Sequence, residues 1–248
     1  MSLVETDWLE KNLNNIKIID CSWHMPQTKR IGFDEYKIKH IPNAIFFDLD
    51  DNSKKDTNLP HMLVDIYNWQ KIVSKMGIEK NDEIVVYDNS DVISSCRCWF
   101  NFIYYGHDPN LVHVLNGGLN KWIKEKKKIT NEQSIFKESN YKGFTISELV
   151  KDKNFIDQNI ESQMFKVIDA RSKERFEGKI PEPRIGLKSG SIKNSFCIPF
   201  NQCLNEDRTF KNKRDLVDVF ESCLKNINEK NIVFSCGSGV TACVLALA

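Results

Sequence analysis

Two copies of one pattern run through the 248 residues, and this repetition limits what the chain can fold into more than any other feature. "IKIIDC" (16–21) leads across a gap to "KHIPNAIFFDLD" (39–50), and "FKVIDA" (165–170) leads across a similar gap to "GSIKNSFCIPFN" (190–201). "NDEIVVYDNSDVISS" (81–95) then overlays "EKNIVFSCGSGVTAC" (229–243), so that Asp20 matches Asp169 and Asp88 matches Cys236 in one register. Each copy must therefore bury its own core, and a joint must lie between them. Residues 126–143, "KKKITNEQSIFKESNYKG" from Lys126, are polar and aperiodic, which predicts a linker. The expected division is 1–125, linker 126–143, and 144–248.

Within each copy, short β-branched runs alternate with helical periodicity. Strands are expected at 17–21, 83–88, 112–115, 166–170 and 231–235, with helices at 64–78, about 92–104, and 213–227. Strands separated by helices imply crossovers, hence an α/β fold in which each copy is a mostly parallel sheet flanked by helices. The first copy continues past its loop through "VHVL" (112–115) and "NGGLNKW" (116–122), whereas the second reaches only Ala248, inside the helix after its loop. The second copy is accordingly expected to be C-terminally truncated.

Hydrophobic residues make up 41% and charged residues 28%, enough for a substantial core, and the formal net charge of +1 argues against nucleic-acid or membrane-surface partners. No apolar run approaches the ~20 residues of a membrane span. The beginning, "MSLVETDWLEKNL", is acidic and amphipathic; it reads as a first helix rather than a targeting peptide, and the expected compartment is the cytoplasm. Eight cysteines (21, 96, 98, 197, 203, 223, 236 and 243) show no framework spacing, and the five histidines are dispersed. They are expected to be reduced, with no metal site and no cofactor. Cys96 and Cys98 stand two apart on a helix and cannot share a face.

The stretch "FSCGSGVTA" (234–242) carries the chemistry. It sets Cys236 between an apolar run and a small-residue turn that opens a helix. Gly237, Ser238, Gly239, Val240 and Thr241 are small enough to let backbone N–H groups converge on the sulfur, and the following helix aims its positive end there. Such a cradle favours a thiolate and can equally hold the outer sulfur of a persulfide. Phosphatases that use a similar loop need an arginine six residues after the cysteine; here that residue is Ala242, which excludes them.

Together, "NGGLNKW" (116–122), "DLDDNSKKDTNLPHML" (48–63), "DARSKERFEG" with "EPRIGLKSGSI" (169–192) and "CGSGVTA" (236–242) resemble the tandem-domain rhodanese family of sulfurtransferases, over the whole chain. The resemblance lies closest to the branch that uses 3-mercaptopyruvate. It implies that Cys236 takes sulfane sulfur and passes it to cyanide or to a thiol, such as thioredoxin or a low-molecular-weight thiol. It implies that Arg175 and Arg184 bind the donor's carboxylate and keto oxygens, a role that suits the guanidinium fork. It also implies that Asp50 and His61 form a relay with Ser238, or else brace the fold. Arg171, beside Asp169, reads as a brace of the loop. Asp88, at the nucleophile position of the first copy, cannot carry sulfur, so that copy is expected to be inactive. One departure stands out: the turn histidine kept as His40 is replaced by Ser191, which predicts altered turn packing near Arg184. The competing functions are a thiosulfate sulfurtransferase and a non-catalytic binding module.

Overall fold

The computed structural model describes residues 2–184, 186–224 and 231–248. The chain divides into two compact units, Met1–Ser147 and Glu148–Ala248, later than the boundary expected from composition.

The first unit is built on five parallel strands in the order β1 (Leu3–Val4), β5 (Val112–Leu115), β4 (Ile84–Tyr87), β2 (Lys17–Asp20), β3 (Ala44–Phe46). Tyr87 aligns with Asp20, so both strands end together and the loops after them share one edge. β4 is buried at every position, which is why "IVVY" reads as a continuous apolar run rather than an alternating one. The strand β1 was not anticipated. Helix α1 (Thr6–Asn12) begins only after it, because a two-residue edge strand carries too little pattern to be read.

Helix α2 (Gly32–Ile38) precedes β3, and α3 (Ile66–Lys75) precedes β4. In α3 the Asp65 carboxylate accepts the Asn68 N–H at the N-terminus, Trp69 and Val73 turn inward, and Gly77 with φ +66° follows its end. Helix α4 (Ser95–Tyr104) buries Cys96 and Cys98, and α5 (Gly118–Lys124) buries Leu119 and Trp122. The core joins Leu9, Ile18, Tyr36, Ile41, Val85, Tyr87 and Trp122.

Residues 126–143, expected to be a linker, lie against the first unit. His40 and Thr130 form an antiparallel bridge, the Ser139 hydroxyl donates to the Ile78 carbonyl at 2.5 Å, and Tyr141 is 1% exposed, stacked on His107. Gly77 is needed here: a side chain would meet Phe136 and the Lys137 carbonyl at 2.7 Å. The segment is polar on average, but its aromatics are anchors.

The second unit repeats the arrangement with three parallel strands in the order β7 (Phe196–Cys197), β6 (Lys166–Asp169), β8 (Ile232–Ser235). Asp169 aligns with Ser235, as Asp20 aligns with Tyr87. Helix α6 (Lys153–Ser162) starts on Asp152, whose carboxylate accepts the Phe155 N–H. Helix α8 (Lys213–Glu221) starts on Asn212, whose side chain accepts the Asp215 N–H. The helix expected over 213–227 thus ends at Glu221; its expected last residues, 225–227, lie outside the described set. Helix α9 (Ala242–Leu247) buries Ala242, Cys243, Val244 and Leu245. The core centres on Ile168, Ile198, Cys203, Phe220 and Leu245.

The turn preceding each short strand keeps its shape, with φ +65° at Asn43 and +64° at Asn194. Its support differs. His40 stacks on Tyr36 and its Nδ1 lies 2.7 Å from the Tyr36 carbonyl, whereas Ser191 is exposed. None of the eight cysteines is in a disulfide. Among the described residues, no helix is long and apolar enough to cross a membrane.

Candidate active site

Cys236 follows β8 directly, at the carboxyl edge of the sheet, where parallel α/β folds place their ligand sites. The Gly239 N–H donates to Cys236 Sγ at 3.1 Å. Gly239 holds φ +74°, a conformation open to glycine at no steric cost, and this turn brings its N–H back towards the sulfur. The sequence suggested several converging N–H groups; among the described hydrogen bonds the sulfur accepts this one. Val240 is 3% exposed and seats the loop on the core, while Gly237, Ser238 and Thr241 are half-buried. Cys243, the second residue of α9, donates its thiol to the Gly239 carbonyl at 3.1 Å.

Arg175 stands in the single-turn helix α7 (Lys173–Phe176). The turn forms because the Ser172 hydroxyl accepts the Arg175 N–H, and Gly178 at φ +72° ends it. Arg184 lies in the long loop beyond, and its Nη2 donates to the Gly237 carbonyl. A methyl group at Gly237 would sit 3.3 Å from Arg175 Nη2 and 3.7 Å from Arg184 Nη2. Both guanidinium groups therefore border the residue that follows the cysteine, and only glycine leaves that space open.

Arg171 grips Asp169 through Nε (2.9 Å) and Nη2 (2.6 Å) and also donates to Glu182 (2.7 Å) and the Gly190 carbonyl (2.8 Å). This ties the loop to the end of β6. Glu182 also accepts from Arg175 Nε (3.2 Å) and Nη2 (2.5 Å), and the hydrogen bond with Arg175 holds its carboxyl below the usual glutamate range. The sequence reading gave Glu182 no role.

Asp50 and His61 are in the first unit. His61 Nε2 lies 3.0 Å from Asp50 Oδ1, and the Trp23 indole N–H donates to Asp50 Oδ2 at 2.9 Å. The His61 hydrogen bond is the main cause that lowers the Asp50 pKa. The His61 backbone is left-handed (φ +56°), its carbonyl accepts from Arg97 Nη2 (2.6 Å), and its Nδ1 is buried without a partner. Trp23, which the sequence reading passed over, packs edge-on to His61.

A duplicated parallel α/β unit with a cysteine loop at a strand's carboxyl end, bordered by arginines, defines the class. The chain matches the Rhodanese-like domain over residues 5–125 and 153–248, and it belongs to that family. It is 39% identical to Arabidopsis thaliana thiosulfate/3-mercaptopyruvate sulfurtransferase 1, mitochondrial, over 99% of this chain and 70% of that one. It is 31% identical to the Homo sapiens 3-mercaptopyruvate sulfurtransferase, covering 99% of this chain and 84% of that one. With the Rattus norvegicus thiosulfate sulfurtransferase the identity is 33%, covering 100% and 85%. Among solved structures it superposes on SseA from Escherichia coli, a 3-mercaptopyruvate sulfotransferase with the rhodanese fold, at TM-score 0.88 and 27% identity, covering 100% and 92%.

Proposed function

We propose that this chain is a sulfurtransferase that moves sulfane sulfur from 3-mercaptopyruvate, through a persulfide on Cys236, to a thiol or cyanide, releasing pyruvate. The observation that carries the reading is the position of Arg175 and Arg184, both at the edge of Gly237, the residue that follows Cys236. The names of the relatives support the reaction class.

The Cys236 thiolate attacks the donor's sulfur. The new S–S bond forms as the C–S bond breaks, and the electron pair passes to the former carbon neighbour as enolpyruvate, which takes a proton to give pyruvate. Arg175 and Arg184 bind the carboxylate and keto oxygens, so they hold the donor in line and stabilise the enolate as charge develops. The acceptor thiolate then attacks the outer sulfur, and Cys236 leaves as thiolate, closing a ping-pong cycle. The Gly239 N–H, already aimed at Sγ, serves the sulfur in both states. The proton relay implied for Asp50, His61 and Ser238 is tested by His61→Asn: slowed pyruvate release with unchanged persulfide loading supports it, and unchanged release makes the Asp50–His61 pair a brace of the first unit.

The second reading, thiosulfate as donor, is favoured by relatives that carry that name. The loop argues against it: thiosulfate is a dianion, and Gly237 and Ser238 place no cation next to Cys236. A cation at either position would add a charge-assisted hydrogen bond to thiosulfate worth about 1.5–3 kcal/mol, so without one about tenfold or more in kcat/KM is expected in favour of 3-mercaptopyruvate. Assaying both donors side by side tests this, and equal or reversed preference overturns it. The first unit, with Asp88 in place of the cysteine, carries no sulfur. The acceptor is thioredoxin or a small thiol, and the compartment the cytoplasm; cell fractionation and acceptor titration check these.

A further inference from the structure

The geometry points to Glu182 as the residue that positions Arg175 for the donor carboxylate, an assignment that rests on the sulfurtransferase reading above. Glu182 has a side chain only 4% exposed. A carboxylate so enclosed must be paired, and both of its oxygens are committed to arginines. Oε1 accepts from Arg171 Nη1 at 2.7 Å and from Arg175 Nε at 3.2 Å, and Oε2 accepts from Arg175 Nη2 at 2.5 Å.

The contact with Arg175 is side-on, through Nε and Nη2 together. That pairing fixes the rotation of the guanidinium plane, which a single contact would leave free. It uses one edge of the group and one hydrogen of Nη2, the atom that borders Gly237, so the second Nη2 hydrogen is left for a ligand. Glu182 is itself held: Arg171, on its far side, is fastened to both oxygens of Asp169 and to the Gly190 carbonyl. Asp169 is the last residue of β6. A continuous line of charge-assisted hydrogen bonds thus runs from the sheet through Asp169, Arg171 and Glu182 to Arg175, and Arg175 borders Gly237. Among the described residues Arg184 has no such support, and its side chain donates to the Gly237 carbonyl.

Charge and position make opposite predictions for Glu182→Gln. On charge alone, removing an anion beside Arg175 leaves the site more cationic, and an anionic donor binds more tightly. If Glu182 positions Arg175, the freed side chain must be ordered again by each donor molecule, and binding weakens. Re-ordering one long side chain corresponds to about 2- to 10-fold in affinity. The neutral amide keeps the volume of the carboxylate, and Arg171 keeps Asp169 and Gly190, so the loop retains its anchor.

The test is steady-state pyruvate release from 3-mercaptopyruvate at saturating acceptor, with active sites counted by cyanolysis of loaded sulfur. For Glu182→Gln we expect KM to rise about 5-fold, with kcat per active site within about twofold. In an Arg175→Ala background, the same change should add nothing to KM, because the group it acts through is gone. An unchanged or lower KM in the single variant overturns the assignment. So does an equal further rise in the Arg175→Ala background, which would mark Glu182 as a general brace. Failure of the unmutated protein to release pyruvate at all would overturn the underlying reading, and this assignment with it.

Discussion

The loops after β4 and β8 stand at the same place in their sheets, and the two units fill them in opposite ways. At the position of Cys236 the first unit has Asp88, whose carboxylate accepts the Ser90 N–H at 2.7 Å and the Ser95 N–H at 2.9 Å. Next comes Asn89 in place of Gly237. Its amide donates to Glu35 at 2.9 Å, while Arg30 Nη2 donates to its carbonyl at 3.1 Å, as Arg184 does to that of Gly237. Arg30 is closed on Glu35 through Nε (2.6 Å) and Nη2 (2.8 Å). The same scaffold, an arginine on the loop carbonyl and a glutamate holding an arginine, is thus present in both. In the first unit a carboxylate occupies the anion position and a side chain covers the next residue. In the second, among the described residues, the sulfur accepts the Gly239 N–H, the next residue is bare, and Arg184 pairs with no carboxylate. The arginines and glutamates come from positions that do not match in the repeat, and a few side chains decide which copy has room for a donor.

The largest effect expected from breaking this contrast is at the nucleophile. Cys236→Ser should lower turnover by at least about a thousandfold, with thermal unfolding unchanged, because an alkoxide cannot carry sulfane sulfur. Adding Asp88→Cys to that variant should restore nothing, since Asn89 and the Arg30–Glu35 pair leave no donor site; regained turnover would refute the contrast. Next, Arg184→Ala and Arg175→Ala should each reduce kcat/KM for 3-mercaptopyruvate by about 10- to 100-fold through lost charge-assisted hydrogen bonds. The matching change in the first unit, Arg30→Ala, should leave kcat/KM within about twofold.

Smaller still is the change in donor preference. Gly237→Arg with Ser238→Lys should shift the kcat/KM ratio towards thiosulfate by about tenfold, and the new side chain at 237 should also crowd Arg175 and Arg184.

The last contrast concerns stability. Asp20 and Asp169 end equivalent strands, but Asp169 has Arg171 and Asp20 has Ser22. Burial pushes the Asp20 carboxyl up to about 6. Its folded pKa exceeds its unfolded one, so the folded state holds the proton more tightly, and stability falls as pH rises from about 4 through 6. Asp20→Asn should therefore stabilise the first unit at pH 7.5 by about 1–2 kcal/mol, with the gain fading towards pH 4 in denaturant titrations. Asp169→Asn should destabilise instead, because it leaves Arg171 short of its partner.

The repeat, the strands that carry it and the cysteine loop were legible because each is written in local pattern: β-branched runs, helical spacing, and small residues around one cysteine. Asp88 at the position of Cys236 was legible from the register of the repeat. The rest depended on contacts between residues far apart in sequence. Tyr141 gave no sign that it would stack on His107 and draw 126–143 against the first unit, because its partner lies far away in the chain. The two residues of β1 pair with β5 at the other end of the unit. Glu182 stood in plain view inside a quoted motif, but its importance comes from the two arginines that meet on it, and no spacing rule brings Arg171 and Arg175 onto one carboxylate.

The account rests on sulfur residing on Cys236, and peptide mass spectrometry tests this directly. Incubating the protein with 3-mercaptopyruvate and no acceptor should add one sulfur, about 32 Da, to the peptide containing Cys236, and a thiol should remove it. Added sulfur on Cys96, Cys98 or Cys243, or none at all while pyruvate is released, would contradict it.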